Sequence, residues 1–144
     1  MVPLYVLIVS FLLFKVLGMT GLSHFEGWHS PLQGAVAIML LISASAHWGS
    51  RRPDLIRMVP QVFPKPDWII TVTGLLEIAG AIGILIPATS RLASICLVIL
   101  FIAMFPANVR AARGHLTIGG RPVPNLLPRT IIQLIFIAAV LLAG

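Results

Sequence analysis

One carboxylate stands alone in a long apolar stretch. Glu77 lies in the run 68–87, about nine residues from either end, which at about 1.5 Å per helical residue puts it roughly 13 Å deep in any membrane that run spans. An ionised side chain at that depth costs about 2.5–3.5 kcal/mol on insertion scales. Glu77 must therefore be protonated, paired or turned to a wet cavity. Thr73, Gly74, Gly80 and Ala81 share its helical face at i±3 and i±4, a small and polar face that should point into a bundle. Two roles follow. Glu77 is either a protonated hydrogen-bond donor between helices, or a general acid or base that handles protons or touches a ligand. Lys15, in the first apolar run at a comparable depth, is the partner to test. The other use of Lys15 is to snorkel its stem to the outer headgroups.

A second constellation lies nearer one membrane face. His47 closes the run 31–48 and is followed by Trp48. Asn108 sits at the same level on the fourth run, after Pro106, while Arg129 opens the last run and Gln133 lies one turn deeper. Four polar groups thus come from three helices at one depth, a set that could orient the polar head of a lipophilic molecule. As interfacial anchors, Trp48 would be a belt residue with His47 and Arg129 at headgroup level. Counted along the helices, Glu77 is more than one turn from this cluster, so joint chemistry needs one ligand to bridge the gap. His24, Glu26 and His29 in HFEGWH lack the i, i+4 histidine spacing of zinc helices, and the segment turns at Gly27. A solvated loop is expected there, with no metal site.

The elements that must hold these groups are membrane helices. The chain has 144 residues, 58% hydrophobic and only 10% charged, with a mean hydropathy of +1.03. Soluble domains carry roughly a quarter charged residues, and a fold of this length has too much surface to hide so many apolar side chains. Five apolar runs, 2–23, 31–48, 68–87, 90–109 and 126–143 (the last most apolar from 130), are each near the ~20 residues that cross about 30 Å of hydrocarbon. The expected architecture is a single all-α membrane domain over 1–144 with five transmembrane helices. The first run lacks a basic n-region and a small-residue cleavage site, so it is expected to stay as a helix.

Charge placement orients the chain. The net charge is +6 and the pI about 11.2, but nucleic acid is not the expected partner, because the basic residues are confined to polar segments between apolar runs without aromatic interleaving. Arg51, Arg52, Arg57 and Lys65 fill the second connection, and Arg110, Arg113, Arg121 and Arg129 the fourth. The first connection has no basic residue and the third only Arg91. The positive-inside rule then puts the N-terminus in the cytoplasm and the C-terminus outside. The single cysteine, Cys96, excludes a disulfide within the chain and reads as a packing residue.

From His47 onward the residues resemble the DoxX-like family of small bacterial membrane proteins. The resemblance is carried by HWGSRRPDLIRMVPQVFPKPDW, TGLLEIAGAIGILIPATSRLA, FPANVRAA and LPRTIIQ and, with the helix before them, spans about 110 residues. It implies a four-helix core in the inner membrane preceded here by an extra N-terminal helix. It also implies that His47, Glu77, Pro106, Asn108, Arg129 and Gln133 occupy the family's motif positions. The family name comes from a subunit associated with a thiosulfate:quinone oxidoreductase. The core is also similar to the four-helix sterol-isomerase and sigma-receptor group, a likeness of fold alone.

Three functions follow as expectations. The first is a non-catalytic subunit or accessory of a membrane redox or quinone-linked system, with a lipophile pocket around Glu77 and a partner subunit or a second copy of the chain beside it. No P-loop, nucleophile elbow, haem or zinc pattern is present, so no cofactor is called for. The second is an enzyme of isomerase, cyclase or epoxide-hydrolase type. In it Glu77 acts as general acid or base, while His47, Asn108, Arg129, Gln133 and Lys15 contact the ligand. The third, a transporter, would show discontinuous helices and paired repeats, and only Pro106 and the glycines beside Glu77 point that way.

Overall fold

Lipid offers the backbone no hydrogen-bond partner, so each apolar run must close its own bonds as a helix. The computed structural model, which describes residues 2–144, has helices α1 (Val2–Met19), α2 (His29–Ser45), α3 (Arg52–Met58), α4 (Pro66–Leu85), α5 (Ser90–Arg113) and α6 (Leu126–Ala143). A 3-10 turn (Ser23–Phe25) precedes α2, and two-residue strands β1 (Thr117–Ile118) and β2 (Arg121–Pro122) pair between α5 and α6. Helices α1, α4, α5 and α6 are long and apolar enough to cross a membrane, and α2 is a shorter apolar helix of 17 residues. Within the connection between α2 and α4 the chain forms the short helix α3, with Pro53 in its first turn where its missing N–H costs nothing.

Four helices close a ring. Helix α2 packs on α4, α4 on α5, α5 on α6, and α6 back on α2, while α1 lies outside the ring against α2. Because lipid gives helices no hydrophobic reason to associate, close packing at small residues must hold such a ring together. Gly80 supplies one notch: a Cβ there would collide with Leu97 of α5, whose side chain is buried in it. Ala35, Val36, Met39 and Leu40 of α2 meet Ile84, Leu97, Val140 and Ala143 in the common core. Large apolar side chains on α1, such as Leu12 and Leu13, face outward, as befits a surface solvated by acyl chains.

Polar side chains close the helix ends, where backbone groups lack intrahelical partners. Thr89 Oγ1 donates to the Gly83 carbonyl at 2.8 Å and Gln33 Nε2 to the Ala143 carbonyl at 2.9 Å, so the end of α6 is tied to the start of α2. Ser94 Oγ adds a buried bond to the Val140 carbonyl at 2.8 Å. At the basic end, Asp54 pairs with Arg57 and accepts the Gly119 N–H at 2.9 Å, which fastens the β1–β2 hairpin to α3. Cys96 is exposed on the outer side of α5 and does not pack in the core as the sequence suggested.

Candidate functional site

The buried face of α4 carries Ile70, Gly74, Glu77, Gly80, Ala81 and Ile84, and Glu77 is only 1% exposed. Its partner is His47, whose Nε2 lies 3.5 Å from Glu77 Oε1. The local structure explains how a residue from the end of α2 gets there. Helix α2 stops at Ser45, whose hydroxyl turns back onto the Ile42 carbonyl at 2.6 Å and competes with helix continuation. Two tight backbone bonds, His47 N–H to Ala44 and Trp48 N–H to Ser45, then swing His47 inward, 4% exposed, while Trp48 stays outside at 45%. The imidazole fits because position 74 has no side chain. A Cβ there would stand 2.9 Å from His47 Cβ and 2.8 Å from the Trp48 ring.

The hydrogen bonds fix the tautomer. His47 Nδ1 is 2.7 Å from the Ile70 carbonyl, which can only accept, so Nδ1 carries the hydrogen. Nε2 then faces the carboxyl group with its lone pair when the ring is neutral, or with a second N–H when it is protonated. In either form Nε2 is the ring atom that faces Glu77 Oε1. Thr73 Oγ1 shares the Ile70 carbonyl at 3.1 Å. Glu77 Oε2 is buried and has no hydrogen-bond partner among the described residues. The pair can hold a proton between helices and present one free acceptor.

Arg52 braces this pair from below, a role that the sequence concealed by placing it among topogenic charges. Its guanidinium donates to the His47 carbonyl at 2.7 Å, the Asp67 carbonyl at 3.0 Å and Thr71 Oγ1 at 2.9 Å, joining the turn after α2 to the first turns of α4. Five donors in a rigid fork suit such a three-way clamp.

Asn108, Arg129 and Gln133 form a separate chain between α5 and α6. Arg129 Nη2 donates to Asn108 Oδ1 at 2.6 Å, Asn108 Nδ2 to Gln133 Oε1 at 2.6 Å, and Gln133 Nε2 to the Phe101 carbonyl at 2.9 Å. Pro106 has no N–H, so one rung of the α5 ladder is missing there, and a side-chain amide joins the backbone one turn earlier. Arg129 Nε is buried without a hydrogen-bond partner among the described residues. His47 bonds to none of these three, so the four groups expected at one depth divide into His47 with Glu77 and an α5–α6 trio.

Lys15 does not reach Glu77. Its ammonium donates to the Glu26 and Gly27 carbonyls, both at 3.2 Å, and so holds the connection between α1 and α2. The cause is direction. A side chain on α4 leans toward that helix's N-terminus, so the Glu77 carboxyl is carried toward the basic end and His47, away from the end where Lys15 sits. Among the described residues, no three His, Cys, Asp or Glu side chains converge as metal ligands. A cavity of about 550 Å³ lies beside α1 and α2, and a groove of about 240 Å³ lies between α5 and α6 next to Gln133. Glu77 and His47 line neither, so the pocket expected around Glu77 is not one of these two.

No curated protein and no solved structure matches the chain. Residues 36–143 match a family described as a domain of unknown function, DUF8561; the match takes in α3 to α6 and the latter part of α2, and leaves α1 outside. With three quarters of its length inside that match, the chain belongs to the DUF8561 family.

Proposed function

We propose that the protein is a five-span component of a bacterial inner membrane, with its N-terminus in the cytoplasm. In this reading it is a non-catalytic subunit or accessory of a redox or quinone-linked system. The bilayer is its first partner, and a membrane subunit or a second copy of the chain is the second. Its ligand is a lipophile whose polar head hydrogen-bonds Glu77. The observation that carries this reading is Glu77 Oε2, a buried oxygen without a hydrogen-bond partner among the described residues, on a carboxyl group whose other oxygen lies 3.5 Å from His47 Nε2. An unsatisfied buried polar atom costs about 1–3 kcal/mol, and native structures leave few such atoms without a hydrogen-bond partner. A quinol hydroxyl is a donor of the right kind, and quinone chemistry exchanges protons at that oxygen. The redox part also rests on the resemblance of the motif segments to the DoxX-like family.

The test is mass spectrometry of protein gently extracted from its own membrane. A defined quinone or isoprenoid should accompany the wild type, be depleted in Glu77→Gln and be absent in Glu77→Leu. Recovery of phospholipid alone from the wild type would overturn the reading. The second reading, an enzyme of the isomerase, cyclase or epoxide-hydrolase type, draws on the same carboxyl group and imidazole. It would displace the first if the purified protein turned the lipophile over and folded Glu77→Gln did not.

A further inference from the structure

The connection from α3 to α4 leaves large apolar side chains uncovered. Val62 is 85% exposed, Phe63 beside it is exposed, and so is Trp68 in the first turn of α4. Helix α4 has 20 residues, which at about 1.5 Å each span the roughly 30 Å of hydrocarbon, so its first turn marks the edge of that layer. From Trp68 an exposed apolar stripe runs along α4 through Val72, Leu75 and Leu76, the i, i+4, i+7 and i+8 positions of one face. Val62 and Phe63 come just ahead of this stripe in the chain. The backbone of the connection is also cheap to take out of water. Pro60, Pro64 and Pro66 have no N–H, and the Phe63 N–H is already bonded to the Pro60 carbonyl at 3.1 Å. Fewer bare donors mean a smaller desolvation cost. Lys65, the exposed residue before α4, adds an ammonium on a left-handed backbone (φ 53°) between the apolar tip and Trp68.

We propose that the tip Val62–Phe63, with Trp68 behind it, inserts into the headgroup and acyl boundary of the leaflet at the basic end. Its occupant is the bilayer itself, because the tip continues the face of α4 that acyl chains already cover. Aromatic side chains with a lysine at the edge of the hydrocarbon have the composition of an interfacial anchor. Irregular backbone is tolerated at that level, where headgroups and their water supply the hydrogen bonds that acyl chains cannot. Asp67 is exposed beside Lys65 and offsets its charge, so apolar area drives the insertion and no anionic lipid is required. Arg52 bonds the Asp67 carbonyl and Thr71 Oγ1, so an anchor in this connection also fixes the level at which α4, and Glu77 with it, enters the layer. The anchor does not depend on the ligand proposed for Glu77.

The test is spin labelling of the full chain in phosphatidylcholine vesicles that hold no other protein. In a Cys96→Ser background, Val62→Cys carries the label, and Ser50→Cys, exposed at the same end, is the reference for water. Collision with oxygen, which concentrates in lipid, and with a nickel chelate, which stays in water, reads the depth. The label at 62 should lie about 5–10 Å into the headgroup and acyl boundary. Adding Phe63→Asp should shift it toward the value at Ser50. A label at 62 as open to the nickel chelate as the one at Ser50, or one that Phe63→Asp does not move, would overturn the proposal. Little collision with either reagent would mean that a second copy of the chain covers the tip, and would overturn it equally.

Discussion

At position 77, glutamine keeps an N–H for His47 Nε2, whereas leucine keeps no donor. The two substitutions should therefore separate in stability. Glu77→Leu leaves a buried imidazole nitrogen without a partner and should cost about 1–3 kcal/mol, while Glu77→Gln should cost less than about 1 kcal/mol. Unfolding by SDS in mixed micelles reads the difference. In a double-mutant cycle with His47→Leu, positions 47 and 77 should couple by at least about 0.5 kcal/mol, as contacting residues do. Lys15→Met should add to Glu77→Gln without coupling, because Lys15 serves the loop carbonyls of Glu26 and Gly27. Coupling between 15 and 77 in place of 47 and 77 would reverse this account. The sequence did single out both members of the pair, through the scarcity of ionisable groups in apolar runs. It did not reveal their contact, because residue counting measures the depth of Cα atoms while a glutamate leaning toward its helix N-terminus reaches a full turn away.

The elements position the pair through two features, a helix that stops early and a glycine that makes room. Gly74→Ala tests the second. Alanine is the better helix former by about 1 kcal/mol, so in an open position the change would stabilise α4. Here the new Cβ would stand 2.9 Å from His47 Cβ, so overpacking at about 1–3 kcal/mol should win and lower the melting temperature. A rise in melting temperature would mean that the turn after α2 yields freely. That turn was illegible beforehand. The apolar pattern runs on to Trp48, and only the Ser45 hydroxyl bonded back to Ile42 shows why the helix ends at 45. The α5–α6 trio was more legible, because Asn108, Arg129 and Gln133 face one another between adjacent antiparallel helices and counting residues suffices there. At the basic end, Asp54 joins α3 to the hairpin by accepting the Gly119 N–H. Asp54→Ala removes a charge-assisted bond, worth about 1.5 kcal/mol at the low end of its range. Amides in 114–125 should then exchange with deuterium about tenfold faster, with those of α4 unchanged. Equal rates in both proteins would show that the hairpin does not need this latch.

Over the whole molecule, burial and charge answer different questions. The ring of α2, α4, α5 and α6 follows from small residues and short connections, but no contact inside it says which end faces the cytoplasm. The proposed orientation rests instead on charge outside the ring. Arg51, Arg57, Lys65, Arg110, Arg113 and Arg121 are all carried by the loops, α3 and the end of α5, at the hairpin end, and each basic residue near an anionic leaflet is worth about 1 kcal/mol. The opposite end offers Lys15, which is spent on loop carbonyls, and Arg91. Such an imbalance should fix one orientation for the whole population of chains. In a Cys96→Ser background, Ser23→Cys and Ala88→Cys should react with a membrane-impermeant maleimide added to intact spheroplasts, and Ser50→Cys should react only after lysis. All three positions are exposed, so access to solvent is not in question within the protein itself. The 17-residue α2 is the span that this experiment tests most directly, because its two ends are bracketed by Ser23 and Ser50. Labelling of both from the same side would reduce the chain to four crossings and turn the orientation of α1 around. Labelling of Ser23 outside and Ser50 inside establishes that a helix of roughly 26 Å crosses the layer, with local thinning absorbing the few ångströms it lacks.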